Sequence, residues 1–529
     1  MSDSDQGHAA ARRNSLRPRP PSPLSPRRRL AMPARGTRGS MLTSVLCLLV
    51  WSGYNTSIYT CTDPLFPKNF INLLHGTRAF LPILAGVVAA AQLAQRRSLP
   101  RWLAFGPLGL LLFYAAIGLT SSIFVSPEPV GAAYWALQYI SVIIVVMAVA
   151  SGPEPEAHLA RYISVNWGCC AAICVGLLAG IPLLGGSVLT QTASSPMGVT
   201  AYTRAPGEAM GMPETRNTGF GRFAGIVILV GLAKLLHDRR DKKTLFIWVP
   251  LTLAAGLALL LSQARTSWVS VVAAVVLLLA RAPTRWRVPL IMLSLLALPL
   301  VLMTGFGHGF LLYLTRRRGI DPTLTGRTAT WAKGWQAVQQ SPWAGLGFWA
   351  DRYFLGGWHI HNTLLDALMQ SGFLGVIPFV IALVWVWMGI LRFYSTKPAG
   401  EVSSLPGELL GLMTFFTVYS ITEVTYSFYS VGWIAMAPLV AHVQLRVYQN
   451  ARKRQFQRLS LARVSVLRRQ VLPRPGAIPG RDFPSSKAPS RNGGGRANAP
   501  GGRTDVLESG QGARPLWLFG APNNRHGNG

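Results

Sequence analysis

His359, His361 and Asn362 lie within four positions of one another in HIHNTLLDALMQSGFLG (His359–Gly375) of the 529-residue chain. Two imidazoles beside a carboxamide are the residue types that take up and pass on a proton near neutral pH. His361 and Asn362 precede Thr363-Leu364-Leu365, where a helix is expected to start, with Asn362 or Thr363 as its cap. An imidazole at that junction is placed to act as a general base on an incoming hydroxyl. Asp366, about a turn further on, is the carboxylate expected to orient it, with His359 and Asn362 in support.

The arginines narrow the chemistry. Arg265 stands in SQARTSW (Ser262–Trp268), a tight turn between two apolar runs with almost no loop to solvate it. A charge at that depth is a functional candidate. Arg216 and Arg222 are six positions apart in ETRNTGFGRFAG (Glu214–Gly225), at the mouth of an apolar run. On a continuous helix they would not share a face, but Gly219 and Gly221 favour a non-helical start that turns both toward one ligand. Arg327 opens GRTATWAKGWQAVQQ (Gly326–Gln340). A planar guanidinium grips two phosphate oxygens at once, so such arginines suit a phosphate or pyrophosphate and fit a neutral substrate poorly.

The elements that must hold these side chains are apolar. Half of the residues are hydrophobic and only 13% are charged, yet Lys and Arg number 51 against 19 Asp and Glu, a net charge of +32. Soluble domains carry about 25% charged residues. A nucleic-acid binder would spread its bases over a polar surface. Here 25 of the 51 bases fall in two tails, Met1–Ser40 and Arg446–Gly529, and the region between them is a series of long apolar runs. A spanning helix needs about 20 apolar residues. Candidate spans are 41–60, 77–95, 102–125, 131–151, 162–186, 219–237, 245–262, 267–281, 288–305, 372–394, 407–424 and 427–446. The expected fold is an all-α polytopic membrane protein with about 12 transmembrane helices over 41–446, flanked by basic tails at 1–40 and 447–529, with no nucleic-acid partner. Forty residues ahead of the first apolar run are too many for a signal peptide.

The positive-inside rule places both termini in the cytoplasm. Arg96, Arg97, Arg101, Arg239, Arg240, Lys242, Lys243, Arg281, Arg285, Arg287, Arg392 and Lys397 then fall on inner loops. Two long segments, about 187–218 and 306–371, fall outside, where function tends to sit on loops. Arg216, Arg222, Arg265 and Arg327 share that side with His361, against the topological bias. Within the second segment Trp331, Trp335 and Val338 recur at helical spacing, which suits a helix on the bilayer surface or packed on the bundle, and Ser341-Pro342 ends it. The tail stretch Ala451–Gln470 is basic with scattered apolar residues and suits a helix on anionic lipid; from about Leu472 the tail is Pro-Gly-Ser-rich and is expected to be disordered, as is the Arg-Pro-rich N-terminal tail. Cys47, Cys61, Cys169, Cys170 and Cys174 form no metal-site spacing and are expected as small hydrophobes.

Taken together, GRTATW, SPWAGLGF, His361-Asn362 and SGFLG resemble the hallmark block of the O-antigen ligase and polysaccharide polymerase superfamily: Gly-Arg and Trp, then Pro-x-x-Gly-x-Gly, His-Asn and Gly-x-x-Gly. SQARTSW is similar to that family's Ser-x-Ser-Arg-Thr stretch, with Gln263-Ala264 in its middle and Arg265 at its arginine. Arg216-Asn217-Thr218-Gly219 resembles its Arg-x-x-Gly element, with Phe223-Ala224 near the place of its usual Asn. The resemblance covers about residues 210–446. It implies a GT-C-like glycosyltransferase bundle in the bacterial inner membrane, active at the periplasmic face without metal or cofactor. The implied donor is a glycan on undecaprenyl pyrophosphate, and the acceptor is a glycan, lipid A-core or protein hydroxyl. In that scheme Arg265 and Arg216, helped by Arg222 and Arg327, stabilise the leaving pyrophosphate, His361 serves the acceptor hydroxyl, and a single displacement inverts the anomeric carbon. Chain-length or export proteins are the implied partners. The alternatives from the residues are a transporter or flippase of lipid-linked glycans, a protein O-glycan ligase, and a non-catalytic organiser of an envelope complex.

Overall fold

A computed structural model of the chain describes residues 37–54, 77–96, 100–183, 217–237, 241–262, 264–281, 327–357, 359–395 and 404–471. The expected span at 288–305, the segment 187–216 with Arg216, Cys61 and most of both tails lie outside the described residues. The described residues form helices joined by turns and loops, with no strand among them. In chain order the helices are α1 (Thr37–Ser52), α2 (Leu81–Gln95), α3 (Arg101–Ala104), α4 (Pro107–Phe124), α5 (Pro129–Ala150), α6 (Pro155–Leu183) and α7 (Asn217–His237). They continue as α8 (Lys242–Ser262), α9 (Arg265–Arg281), α10 (Arg327–Val338), α11 (Ala350–Phe354), α12 (Thr363–Ser395), α13 (Leu405–Tyr419) and α14 (Val431–Val471).

Among the described residues six helices are long and apolar enough to cross a membrane: α4, α5, α6, α7, α8 and α12. The chain is therefore a polytopic membrane protein. The helices α1, α2 and α13 contain shorter apolar stretches. Proline opens α4 and α5 and sits in the first turn of α13, where its missing N–H costs nothing. Pro250, Pro378 and Pro438 lie inside α8, α12 and α14, as is tolerated in spanning helices whose neighbours compensate the freed carbonyl. Many apolar side chains face outward, Phe246 and Leu253 on α8 among them, and a bilayer would cover such a surface.

The core runs through α5, α13 and the first half of α14, which is buried on every side from Val431 to Leu445. Helices apolar all round belong inside a bundle. Asn166 of α6 ties α1 to α14: its Oδ1 accepts from Trp51 Nε1 at 2.7 Å and its Nδ2 donates to the Ile434 carbonyl at 3.1 Å. Further contacts join α7 to α8 and α13, α9 to α13, and α12 to α4. Cys47, Cys169, Cys170 and Cys174 are free thiols in or beside this core.

Two compact units divide the chain at Leu459/Ser460. Of the second unit, only Ser460–Val471 is described, as the end of α14.

Candidate functional site

The His segment is set by two glycine-dependent contacts and one cap. In PWAGLG, Gly345 and Gly347 take φ of +78° and +91°, and Gly372 breaks α12 with φ of +60°. All three are in the left-handed region that side chains resist. The loop and the break then bond to each other: Leu346 N–H donates to the Met369 carbonyl, Gly347 to Gln370, Phe373 to Pro342 and Leu374 to Trp343, at 2.6–3.1 Å. A Cβ on Gly347 would stand 2.6 Å from Ser122 Cα in α4. This lock accounts for the Pro-x-x-Gly-x-Gly and Gly-x-x-Gly spacing. It also moves the start of the expected span at 372–394 back to Thr363, because the chain resumes helical geometry on both sides of Gly372.

Asn362 is the cap. Its Oδ1 accepts from Leu365 N–H at 2.9 Å, and its Nδ2 donates to the Ile421 carbonyl at 3.0 Å. Thr363 Oγ1 donates to the Glu423 carbonyl at 2.9 Å and accepts from Thr425 N–H at 3.1 Å. The start of α12 is thus stitched to the connection 420–430 between α13 and α14. His361, at φ +50°, sits at this seam in a conformation uncommon for a residue with a side chain.

The carboxylate against His361 is Glu423. His361 Nδ1 donates to Glu423 Oε2 at 3.0 Å, and Arg327 Nη2 donates to Glu423 Oε1 at 2.8 Å. Burial alone would raise the Glu423 carboxyl, but its bond to His361 and the nearby guanidiniums of Arg327 and Arg222 outweigh that and hold it below the usual carboxylate range. Asp366 does not take the expected place: it accepts from Gln370 Nε2 at 2.7 Å and Ser427 Oγ at 2.5 Å, inside the bundle. Five positions along, it lies past the seam, and α12 carries its side chain onto its own next turn. The sequence alone does not single out Glu423. Its signal was a carboxylate within an otherwise apolar stretch.

His359 has its own carboxylate. Its Nδ1 donates to buried Asp351 of α11 at 2.7 Å, and Ile360 N–H bonds the same oxygen at 3.3 Å. Burial pushes His359 below the usual imidazole range, against the opposing pull of Asp351. The His359 and His361 rings stand 5.8 Å apart.

The arginines divide. Arg222 is on the first turns of α7, which is helical from Asn217, so Gly219 and Gly221 do not open it. A Cβ on Gly221 would meet Ala264, Ser262 and Ser267 at 2.7–2.9 Å, so this glycine lets the turn of Arg265 pack against α7. Arg222 lies over the Tyr419 ring at 5.0 Å with Nη2 3.5 Å from its hydroxyl. The Arg222 Nε is buried with no acceptor among the described residues. Arg265 is the first residue of α9. Its turn reaches the Glu423 connection through Thr422 Oγ1, which donates to Thr266 Oγ1 at 3.2 Å.

A cavity of about 290 Å³ joins part of this set. Arg222, Arg352, His359, His361 and Glu423 line it with Trp349. Arg265 and Arg327 are not on its wall; Arg327 reaches it through Glu423. Trp349 stacks on Trp135 at 4.3 Å and lies under Arg352 at 5.3 Å. Helix α10 closes the set from behind: Trp331 Nε1 donates to the Ile360 carbonyl at 2.8 Å. Trp331 and Val338 therefore pack on the bundle while Trp335 is half exposed. Among the described residues no three His, Cys, Asp or Glu side chains cluster as metal ligands.

A helical membrane bundle with paired imidazoles and arginines around one polar cavity is the class of protein these observations define. Residues 250–380 match the family model for O-antigen ligase. A stretch of 123 residues is 30% identical to the exopolysaccharide production protein ExoQ of Rhizobium meliloti (strain 1021), covering 20% of this chain and 28% of that protein. The chain thus spans under a third of the length of that relative. The resemblance to the O-antigen ligase-like superfamily is borne out. The matched residues 250–380 include Arg265, Arg327, His359, His361 and Asn362; Arg222 and Glu423 lie outside them.

Proposed function

We propose that the chain is an inner-membrane glycosyltransferase. It moves a glycan from undecaprenyl pyrophosphate to an acceptor hydroxyl at the periplasmic face, as a ligase or a polymerase. The observation that carries this reading is the His361–Glu423–Arg327 chain of hydrogen bonds at a cavity that Arg222 and Arg352 also line. The fuller bundle of about 12 spans with a GT-C-like arrangement, N-in and C-in, belongs to the same proposal.

The chemistry follows from what each group holds. Glu423 occupies His361 Nδ1, so Nε2 is the ring nitrogen left for the acceptor. The acceptor O–H passes its proton to Nε2 as its oxygen attacks the anomeric carbon. The anomeric C–O bond to phosphate breaks, and its electron pair leaves on undecaprenyl pyrophosphate. The proton then passes from His361 to the released diphosphate or to water. A single displacement inverts the anomeric carbon. The reaction needs fixed positive charge where the leaving oxygens develop theirs, in a site of low dielectric. Arg222 on the cavity wall supplies such charge, and Arg265, Arg216 and Arg327 add to it. No metal is required in this scheme. The likeness to a protein of exopolysaccharide production favours a polysaccharide as acceptor over lipid A-core or protein, and chain-length or export proteins complete the proposal as partners.

The test is reconstitution. Full-length protein in liposomes, given a lipid-linked glycan and an acceptor oligosaccharide, should release undecaprenyl pyrophosphate and extend the acceptor, and H361A should do neither. Movement of the lipid-linked glycan across the bilayer without product would replace this reading with a flippase. Equal product from H361A would overturn the assignment of His361.

A further inference from the structure

A second pocket lies at the other end of the same helices. It is about 130 Å³ and is walled by the end of α12, the start of α13 and the middle of α14. Val431 of α14 lines the His361 cavity and Val447 lines this one. Sixteen residues of helix separate them by about 24 Å, close to the hydrocarbon thickness of a bilayer, about 30 Å. The order along α12 agrees, with His361 just before its start and Arg392 near its end. The second pocket therefore sits at headgroup level on the membrane face opposite the first.

Its lining has two parts. Phe393, Leu409 and Val443 make an apolar floor, and Arg392, Arg446 and Arg454 stand around it. No Asp or Glu lines it. Glu156 bonds Arg446 from outside the pocket at 3.2 Å. Arg392 and Arg454 are exposed. Three arginines from two helices over an apolar floor match a phosphate joined to acyl chains, and match neither a free sugar nor a zwitterionic headgroup as well.

We propose that this pocket binds one anionic phospholipid, its phosphate among Arg392, Arg446 and Arg454 and an acyl chain along Phe393, Leu409 and Val443. The site is separate from the proposed transfer chemistry and does not depend on it. Bound there, the lipid bridges α12 and α14.

The experiment is native mass spectrometry of the detergent-purified full chain titrated with phosphatidylglycerol or phosphatidylcholine. The expected result is at least tenfold tighter binding of the first phosphatidylglycerol than of phosphatidylcholine, and a tenfold loss in R392Q and in R454Q. Both positions are exposed, so these variants should keep the wild-type melting temperature. R458Q, outside the pocket on an exposed turn of α14, should bind as the wild type does. Equal binding of the two lipids, unchanged binding by R392Q and R454Q, or an equal loss in R458Q would each overturn the site. Complete displacement of the lipid by millimolar inorganic phosphate would overturn it as well, since a bare anion would then account for the affinity.

Discussion

His361 Nδ1 and Glu423 Oε2 meet at 3.0 Å although 62 residues separate them in the chain. The contact joins the start of α12 to the connection between α13 and α14, and Arg327 closes it from α10. Under the proposed function this pair fixes which imidazole nitrogen faces the acceptor. Removing the imidazole should remove the base: H361A is expected to lose about 10²–10⁴-fold in transfer rate, with normal protein level in the membrane. Glycan display in a deletion strain complemented with H361A reads this directly. Wild-type display would exclude His361 as the base.

Glu423 acts through His361 and is a positioning residue. E423Q keeps shape and one acceptor oxygen but loses the charge that holds the imidazole and Arg327. A drop in kcat of about tenfold or more is expected with KM little changed, and the acid limb of the pH–rate profile should shift. A merely structural role for Glu423 would lower the yield of folded protein and leave that profile where it is.

Much of the site was legible because its signals are local. His361-Asn362 before a helix, Arg265 in a turn too short to solvate it, and glycines at fixed spacing are all visible within a dozen residues. The cap at Asn362 and the Gly345, Gly347 and Gly372 lock follow from backbone rules. Glu423 was not legible because its partner is distant in sequence, and its stretch reads as a membrane span. Asp366 was the nearest carboxylate along the chain, but helix geometry commits it to Gln370, one turn on. Gly219 and Gly221 read as a broken helix start, whereas Gly221 serves close packing, which a single segment cannot reveal. The apolar runs located the helices well, while their ends moved: the last extends through the basic stretch to Val471.

The glycine lock should be needed for folding more than for chemistry. Gly347→Ala places a Cβ 2.6 Å from Ser122 Cα at a φ of +91°. The left-handed conformation alone costs about 1–2 kcal/mol with a side chain, and the contact adds to it. A clear fall in melting temperature is expected, with the surviving folded fraction retaining activity per molecule. Thermal unfolding of the purified variant against wild type measures this; an unchanged melting curve would mean that α4 yields easily at Ser122.

Arg222 offers a sharper distinction between charge and geometry. Its guanidinium lies on the Tyr419 ring with Nε buried and unbonded among the described residues. Arg222→Lys retains the charge but loses the planar fork. Transfer should fall nearly as far in R222K as in R222Q, while a glycan-free undecaprenyl pyrophosphate competitor should bind both variants more weakly than wild type. If R222K transfers at the wild-type rate, a point charge suffices and the bidentate role is wrong.

Acid should loosen the site by a predictable sign. His359 lies below the usual imidazole range because it is buried, so the unfolded chain binds that proton more readily. Stability therefore falls as pH drops from about 6.5, the ordinary imidazole value, toward the folded value. Glu423 lies below the usual carboxylate range, its burial outweighed by His361, Arg327 and Arg222. Its contribution is complete above about pH 4.3 and is lost as pH falls through the folded value. The two slopes have the same sign and occupy successive windows. Melting temperatures in detergent should decline from pH 7 downward, with H359N flattening the upper part and E423Q the lower. Parallel curves for wild type and both variants would show that other groups carry the acid sensitivity.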